Sequence, residues 1–288
     1  MNFFLQVMIS GLLLGTTYAL LGVGFSLIWG VARVLNITHA IFAVLAAYAA
    51  YWPMKLYNLD PFLILLGIIP LFFLLGVLLY EGPIRLLERR TPNLELSSLV
   101  LTFGLAYALE NMMAYLWSPG PRLLNTPYTG HSLSLLGIYF PLTQVYSFLL
   151  SVVTIVAIYL FLYHTHLGKA VRAVWQDRDG AVLSGVNLHS VTAITYGVAI
   201  ASAGVAGVAM ALIYAFNPAI HLGWLIYIFL VVIMGGVGSM LGAGVAGLFT
   251  GLVINLSVLF IPFAWSNLLL FSGLLLLLFI RPRGLLQR

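Results

Sequence analysis

The sequence predicts an all-α fold, a polytopic transmembrane helical bundle of eight to ten membrane-embedded helices, and three observations carry the prediction. Hydrophobic residues make up 62% of its 288 residues and charged residues only 7%, with a mean hydropathy of +1.11. A water-soluble fold of this length needs a charged shell that such a composition cannot supply. Apolar runs of about 17 to 25 residues recur, the length that crosses roughly 30 Å of hydrocarbon as a helix. Stretches such as 63–80 and 148–163 are apolar on every side, whereas a membrane β-barrel needs short alternating segments.

The first span, near 5–30, lacks a positive leader region and a small-residue cleavage site, so it is expected to stay in the mature protein. It sets Gly11, Gly15 and Ala19 at four-residue spacing, followed by Gly22 and Gly24; small residues on one face let helices approach closely in lipid. The second span, 38–54, opens on NITHAIF, where Asn36 or Thr38 suits a helix cap. The third is 62–80. The fourth, 96–117, contains LTFGLAYALEN and the intramembrane acid Glu110. The fifth is 145–163. The sixth, 191–215, repeats the small-residue pattern in Ala203, Gly207 and Ala211, as the eighth, 242–260, does in Gly247 and Gly251. The seventh, 219–235, is short, and the ninth is 264–280. Glycine or polar breaks in the first two spans, and the shortness of the seventh, point to half-helices or re-entrant pieces. The chain reads as one membrane domain, 1–288, with a cytoplasmic loop at 164–190.

Orientation follows from Lys and Arg, which short cytoplasmic loops retain. One set of alternate loops holds Arg33, Arg85, Arg89, Arg90, Lys169, Arg172, Arg178, Arg281, Arg283 and Arg288; the other holds Lys55 and Arg122. Ten against two puts the charged island and the C-terminus in the cytoplasm, and residues 118–144, rich in proline, outside. With nine spans the N-terminus lies outside too.

No nucleotide loop, HExxH, GxSxG or strand-linked GxGxxG occurs, which argues against an enzyme and leaves no catalytic residues to assign. His164 and His166 point two ways on a helix and have no third ligand near, so no metal or cofactor is expected. The absence of cysteine excludes disulfides and thiolate sites. Basic residues are dispersed through the loops, so nucleic acid is not an expected partner; membrane lipid is. A stand-alone secondary carrier or channel is the rival transport reading, but ion coupling commonly uses intramembrane acids and only Glu110 is available.

GKAVRAVWQDRDGAVLSGVN, residues 168–187, is the least membrane-like stretch. On a helical wheel Lys169, Arg172, Gln176 and Asp179 share one arc, while Val171, Val174, Trp175, Ala181 and Val182 lie opposite. Arg178 falls in the apolar arc, and the mixed charge suits a protein groove better than lipid headgroups. The expectation is a short amphipathic helix, bracketed by Gly168 and Gly185 as residues that tolerate unusual backbone angles.

NITHAIF, LTFGLAYALEN, the 168–187 segment followed by ASAGVAGV, IMGGVGSMLGAGVAG and RPRGLL occur in this order. Together they resemble the inner-membrane permeases of bacterial and archaeal ABC importers for branched-chain amino acids, the H-type subunit, over essentially the whole chain. Relatives of that family serve other amino acids, amides and urea. The resemblance implies a multi-pass plasma (inner) membrane protein working with a second homologous permease, two cytoplasmic ATPase subunits and an extracytoplasmic substrate-binding protein. It implies that 168–187 is the coupling helix, with Gly168, Arg172, Asp177, Arg178, Asp179 and Gly185 at the ATPase contact. The pattern also carries Thr102 and Gly104, and Ala181, and the structural positions Gly235, Gly236, Gly238, Ser239, Arg281, Pro282 and Gly284. Ala40 stands where the family usually has Gly. Tyr18, Asn36, His39, Thr102, Glu110 and Asn111 are the expected substrate-pathway residues.

Overall fold

The computed structural model describes residues 2–135, 137–262, 265–281 and 284–285; Pro282, one of the expected motif positions, lies outside them. In chain order the helices are α1 (Asn2–Ala32), α2 (Thr38–Tyr57), α3 (Pro61–Leu79), a π-helical turn (Tyr80–Ile84), α4 (Arg85–Arg90) and α5 (Leu94–Trp117). A small antiparallel hairpin, β1 (Ser132–Leu135) and β2 (Ile138–Pro141), precedes α6 (Leu142–His164), α7 (His166–Gln176), α8 (Arg178–Leu183) and α9 (Leu188–Ile213). A 3-10 turn (Pro218–Ile220) leads into α10 (His221–Gly235), then α11 (Met240–Ser257) and α12 (Ser266–Ile280).

Among the described residues, seven helices are long and apolar enough to cross a membrane. Two further helices join the same bundle: α2, more polar through its Thr, His, Tyr and Trp, packs on α9, α3 and α10, and the shorter α12 packs on α11 and α10. The first two spans are not broken. α1 runs 31 residues and α2 runs 20 without interruption, because their glycines and polar residues meet neighbouring helices and the backbone bonds stay within the helix. The short seventh span is α10, 15 residues entered through the 3-10 turn.

α1 and α9 are the pillars. Their spanning stretches are 94% and 89% buried, against 28% for α3 and 22% for α6, which face outward. The small-residue stripes mark where the pillars touch. A Cβ on Gly247 would lie 2.3 Å from the Ala19 backbone, and one on Gly207 would lie 1.9 Å from the Ala43 carbonyl oxygen. With little water-driven force inside a bilayer, such close backbone packing holds the helices together.

α3 begins at Asp60, whose carboxylate accepts from the Phe62 amide at 2.8 Å, with Pro61 in the first turn. Pro83 explains the π-helical turn below it: proline brings no N–H and its ring would strike the carbonyl four residues back, so the helix widens locally and then resumes as α4.

The connections gather at two ends of the bundle. One end carries Arg33, Arg85, Arg89, Arg90, Lys169, Arg172, Arg178 and Arg281 among the described residues; the other carries Lys55 and Arg122. The first is called the basic end below.

Candidate functional site

Three arrangements stand out, one cavity and two sets of contacts at the basic end. The cavity, about 420 Å³, lies between α1 and α10 near the end opposite the basic one. Tyr18 of α1 stands 4.9 Å, ring to ring, from Tyr227 of α10. Tyr214 of the α9–α10 connection lines the cavity with Tyr18. Burial pushes the Tyr214 phenol above the ordinary tyrosine range, so it stays a neutral hydroxyl. Met210, Ile220 and Trp224 supply apolar wall, and Gly223 leaves open space, with no atom within 4 Å of where its Cβ would be. A volume in this range, an apolar lining and a few hydroxyls suit a small ligand with an aliphatic body. Tyr18 was legible as a candidate; Tyr214, Trp224 and Tyr227 were not, although Ile220, Gly223, Trp224 and Tyr227 share one helical spacing.

The other expected pathway residues do not reach this cavity. Thr102 of α5 accepts a hydrogen bond from the Ile37 amide at 3.1 Å and lies within 2.7 Å of the Ser98 carbonyl, so it caps the start of α2 from another helix. Asn36 accepts from the Thr38 hydroxyl. His39 is fully buried, edge-on to Phe25 at 5.9 Å, beside Gly24 and Ser202 where α1, α2 and α9 meet. Glu110 and Asn111 lie on α5, where Glu110 Oε2 is 3.8 Å from His221 Nδ1, outside hydrogen-bond range.

At the basic end the expected single amphipathic helix is two helices. Asp177 is extended (φ −150°, ψ 106°) and its carboxylate accepts from the Asp179 amide at 3.1 Å, ending α7 and capping α8. The wheel therefore holds only as far as Gln176: Val171, Val174 and Ala181 are buried, but Val182 is exposed. Gly168 serves close approach, not an unusual angle. A Cβ there would lie 2.0 Å from the Phe161 carbonyl, because α7 folds straight back on α6. Gly185 does adopt a left-handed angle, φ +83°, and the bonds Gly185 N to Val182 O and Val186 N to Ala181 O close α8 with a Schellman turn.

Arg172 and Arg178 bond within the chain. Arg172 Nε donates to the Leu162 carbonyl at 3.1 Å and its guanidinium lies 4.4 Å from the Tyr163 ring centre. Arg178 pairs with Glu88 of α4 at 2.5 Å. Glu88 also accepts from the Tyr80 hydroxyl at 3.2 Å, while Glu81 pairs with Arg85 at 2.7 Å and His189 at 2.8 Å. Asp177, Asp179 and Lys169 remain exposed, with Leu183 88% exposed beside them.

The third arrangement joins distant motifs. The Trp175 indole nitrogen would stand 3.3 Å from a Cβ on Gly30 and 2.9 Å from one on Gly238, so α7 seats its tryptophan where α1 meets the α10–α11 corner. That corner needs glycine: Gly236 and Gly238 have φ of +96° and +79°, and a Cβ on Gly235 would fall 2.4 Å from the Gly242 backbone. Ser239 caps α11 by accepting from the Gly242 amide at 3.0 Å. Arg281 ends α12, and beyond it Gly284 packs on Gly236 while the Leu285 amide donates to the Met234 carbonyl at 2.9 Å.

At the opposite end Arg122 exchanges backbone hydrogen bonds with Phe216 at 2.8 and 2.9 Å, and its guanidinium lies 5.1 and 5.2 Å from the Tyr51 and Trp52 ring centres. Beside it a depression of about 660 Å³ is lined by Lys55, Asp60 and Asn125 among others. Burial, and then the Asp60 carboxylate, push the neighbouring Tyr128 phenol up to about 12. Among the described residues no group of three or more His, Asp or Glu is placed to hold a metal ion.

A helical bundle long and apolar enough to cross a membrane many times, with an aromatic cavity toward one end and surface helices tied into the other, is a polytopic membrane protein. Residues 7–280 match the family described as branched-chain amino acid transport system / permease component, and the chain belongs to that family. It is a multi-pass inner-membrane protein, a transport component and not itself an enzyme. It is 27% identical to the high-affinity branched-chain amino acid transport system permease protein LivH of Escherichia coli strain K12, covering 99% of this chain and 96% of that one. The corresponding protein BraD of Pseudomonas aeruginosa is 26% identical with the same coverage. A probable branched-chain amino acid transport permease protein LivH of Methanocaldococcus jannaschii is 23% identical over 88% of this chain and 81% of its own. No solved structure matches the chain.

Proposed function

We propose that this protein is a membrane-spanning permease subunit of an ATP-driven (ABC) importer, translocating branched-chain or related amino acids delivered by an extracytoplasmic binding protein. The family match along nearly the whole chain carries the reading. The basic end is cytoplasmic in this reading, which the excess of Lys and Arg there supports, with the C-terminus on that side. Residues 164–190 are the coupling loop within the single domain 1–288. In it Asp177, Asp179 and Leu183 face the ATPase, while Trp175, Arg172 and Arg178 hold α7 and α8 against the rest of the chain. A pull on this pair reaches α1 and the α10–α11 corner through Trp175, and α3 through Glu88 and α4. The binding protein docks on the Arg122 end, and the aromatic cavity lies on the substrate's path.

The tagged chain should copurify with a second permease and an ATPase, and uptake of leucine, isoleucine or valine by the reconstituted complex should need ATP and the binding protein. Uptake by the chain alone, driven by an ion gradient, would overturn the reading. Cavity variants refine it. Gly223→Ala has room for its methyl and should transport normally. Gly223→Trp fills the space and should cut uptake about tenfold or more, the scale of a packing penalty of 1–3 kcal/mol, at unchanged membrane level. Equal uptake in both would remove the cavity from the path.

A further inference from the structure

α5 is the barest of the spanning helices, with 17% of its most apolar stretch buried. α3 is nearly as bare, but its exposed side, including Leu63, Leu66, Phe73 and Leu74, is wholly apolar, as hydrocarbon demands. The exposed side of α5 differs. Gly104 and Ala108 lie one turn apart on it, flanked by Tyr107 and Asn111. Asn111 gives its amide hydrogens to the Tyr107 carbonyl at 2.8 Å. Glu110 stands at the edge of this stripe, its Oε2 without a hydrogen-bond partner. Behind it His221 is fully buried; its Nδ1 meets the Pro218 carbonyl at 3.1 Å, and its Nε2 has no partner.

Glu110 is seven residues from the end of α5 at Trp117, which at 1.5 Å per residue sets it about 10 Å inside the helix end. A carboxylate, an amide and an imidazole at that depth face a protein or a water-filled path, not lipid tails. Gly104 and Ala108 leave room for a second helix to approach closely. Soluble partners reach only the two ends of the bundle.

We propose that this α5 stripe is the seat of the second, homologous permease subunit, which packs against Gly104 and Ala108 and supplies polar side chains to Glu110 and Asn111. The inference rests on the ABC-importer reading, which supplies that subunit, and adds the face on which it sits. The pair would then enclose Glu110 at their interface, shielded from lipid.

The chain has no cysteine, so one reactive thiol can be placed at will. In the complete complex in native membranes, an Ala108→Cys variant carrying a thiol-linked benzophenone should cross-link to the second permease on illumination. The same probe at Leu66→Cys, on the exposed side of α3, should label lipid. Glu110→Leu should lower recovery of the second permease in pull-downs by about fivefold, the worth of one interhelical polar contact in a membrane, with this chain at its normal level. If the second permease copurifies but Ala108→Cys labels only lipid, the α5 seat is wrong and the importer reading stands. An adduct between two copies of this chain at Ala108→Cys also overturns the stated occupant. Absence of any second permease from the purified complex overturns the importer reading itself.

Discussion

Gly207→Leu should leave only a small fraction of the chain folded in the membrane. Gly207 is in the last third of α9, where α9 crosses α2, and a Cβ there would lie 1.9 Å from the Ala43 carbonyl oxygen, 2.5 Å from its carbon and 2.7 Å from its Cα. The obstacle is backbone, so no side chain can swing aside. Both helices are buried at this point, so the crossing has to open and several neighbouring contacts go with it. Overpacking a core commonly costs about 1–3 kcal/mol, and a displaced backbone lies at or beyond the top of that range. Gly67→Leu, on the exposed side of α3 with no atom within 4 Å of its Cβ position, should behave like the parent. Membrane level and thermal unfolding in detergent, followed by tryptophan fluorescence, measure both. A Gly207→Leu chain with the parent's level and melting temperature would show that the α2–α9 crossing is far looser than its geometry.

The glycine stripes were legible because lipid makes their meaning narrow: Gly11, Gly15 and Gly247 have few uses on an apolar helix other than close packing, and they meet Gly251, Leu248 and Ala19. The spans were legible for a similar reason, since a helix wrapped by hydrocarbon is apolar all round. What the sequence hides is pairing across the chain. Thr102 carries a motif, but its bond to the Ile37 amide spans 65 positions. Glu110 stood out as an acid, yet His221 lies on a different helix and breaks no pattern. The cavity draws one wall from α1, one from the α9–α10 connection and one from α10, and periodicity sees one helix at a time. Asp177 misled the wheel because aspartate serves equally within a polar helix face and as a cap. Trp175 held by Gly30 and Gly238 on one side, and Arg178 drawn to Glu88 on the other, fit the break between α7 and α8.

Arg178→Glu should separate ATP hydrolysis from transport in the assembled importer. The Arg178–Glu88 contact is the ionic tie between α8 and α4, and Tyr80 donates to the same carboxylate. Both partners are nearly a third exposed, at 28% and 29%, so solvent screening limits the pair to about 1 kcal/mol or less of folding stability. The variant chain should therefore reach the membrane at the parent level. Movement is another matter. Two carboxylates facing each other push α8 away from α4, and motion at α8 no longer draws on α3. Uptake should fall by about tenfold, equivalent to ~1.4 kcal/mol, while ATPase activity persists. Glu88→Arg should do the same by placing two guanidinium groups together. The double variant, Arg178→Glu with Glu88→Arg, restores an opposite-charge pair and should recover most of the uptake. That recovery distinguishes a transmitting contact from a merely structural one, because each charge then stands on the other helix. Normal uptake in Arg178→Glu, or a double variant no better than either single one, would mean that the force passes through Trp175 and the α10–α11 corner alone.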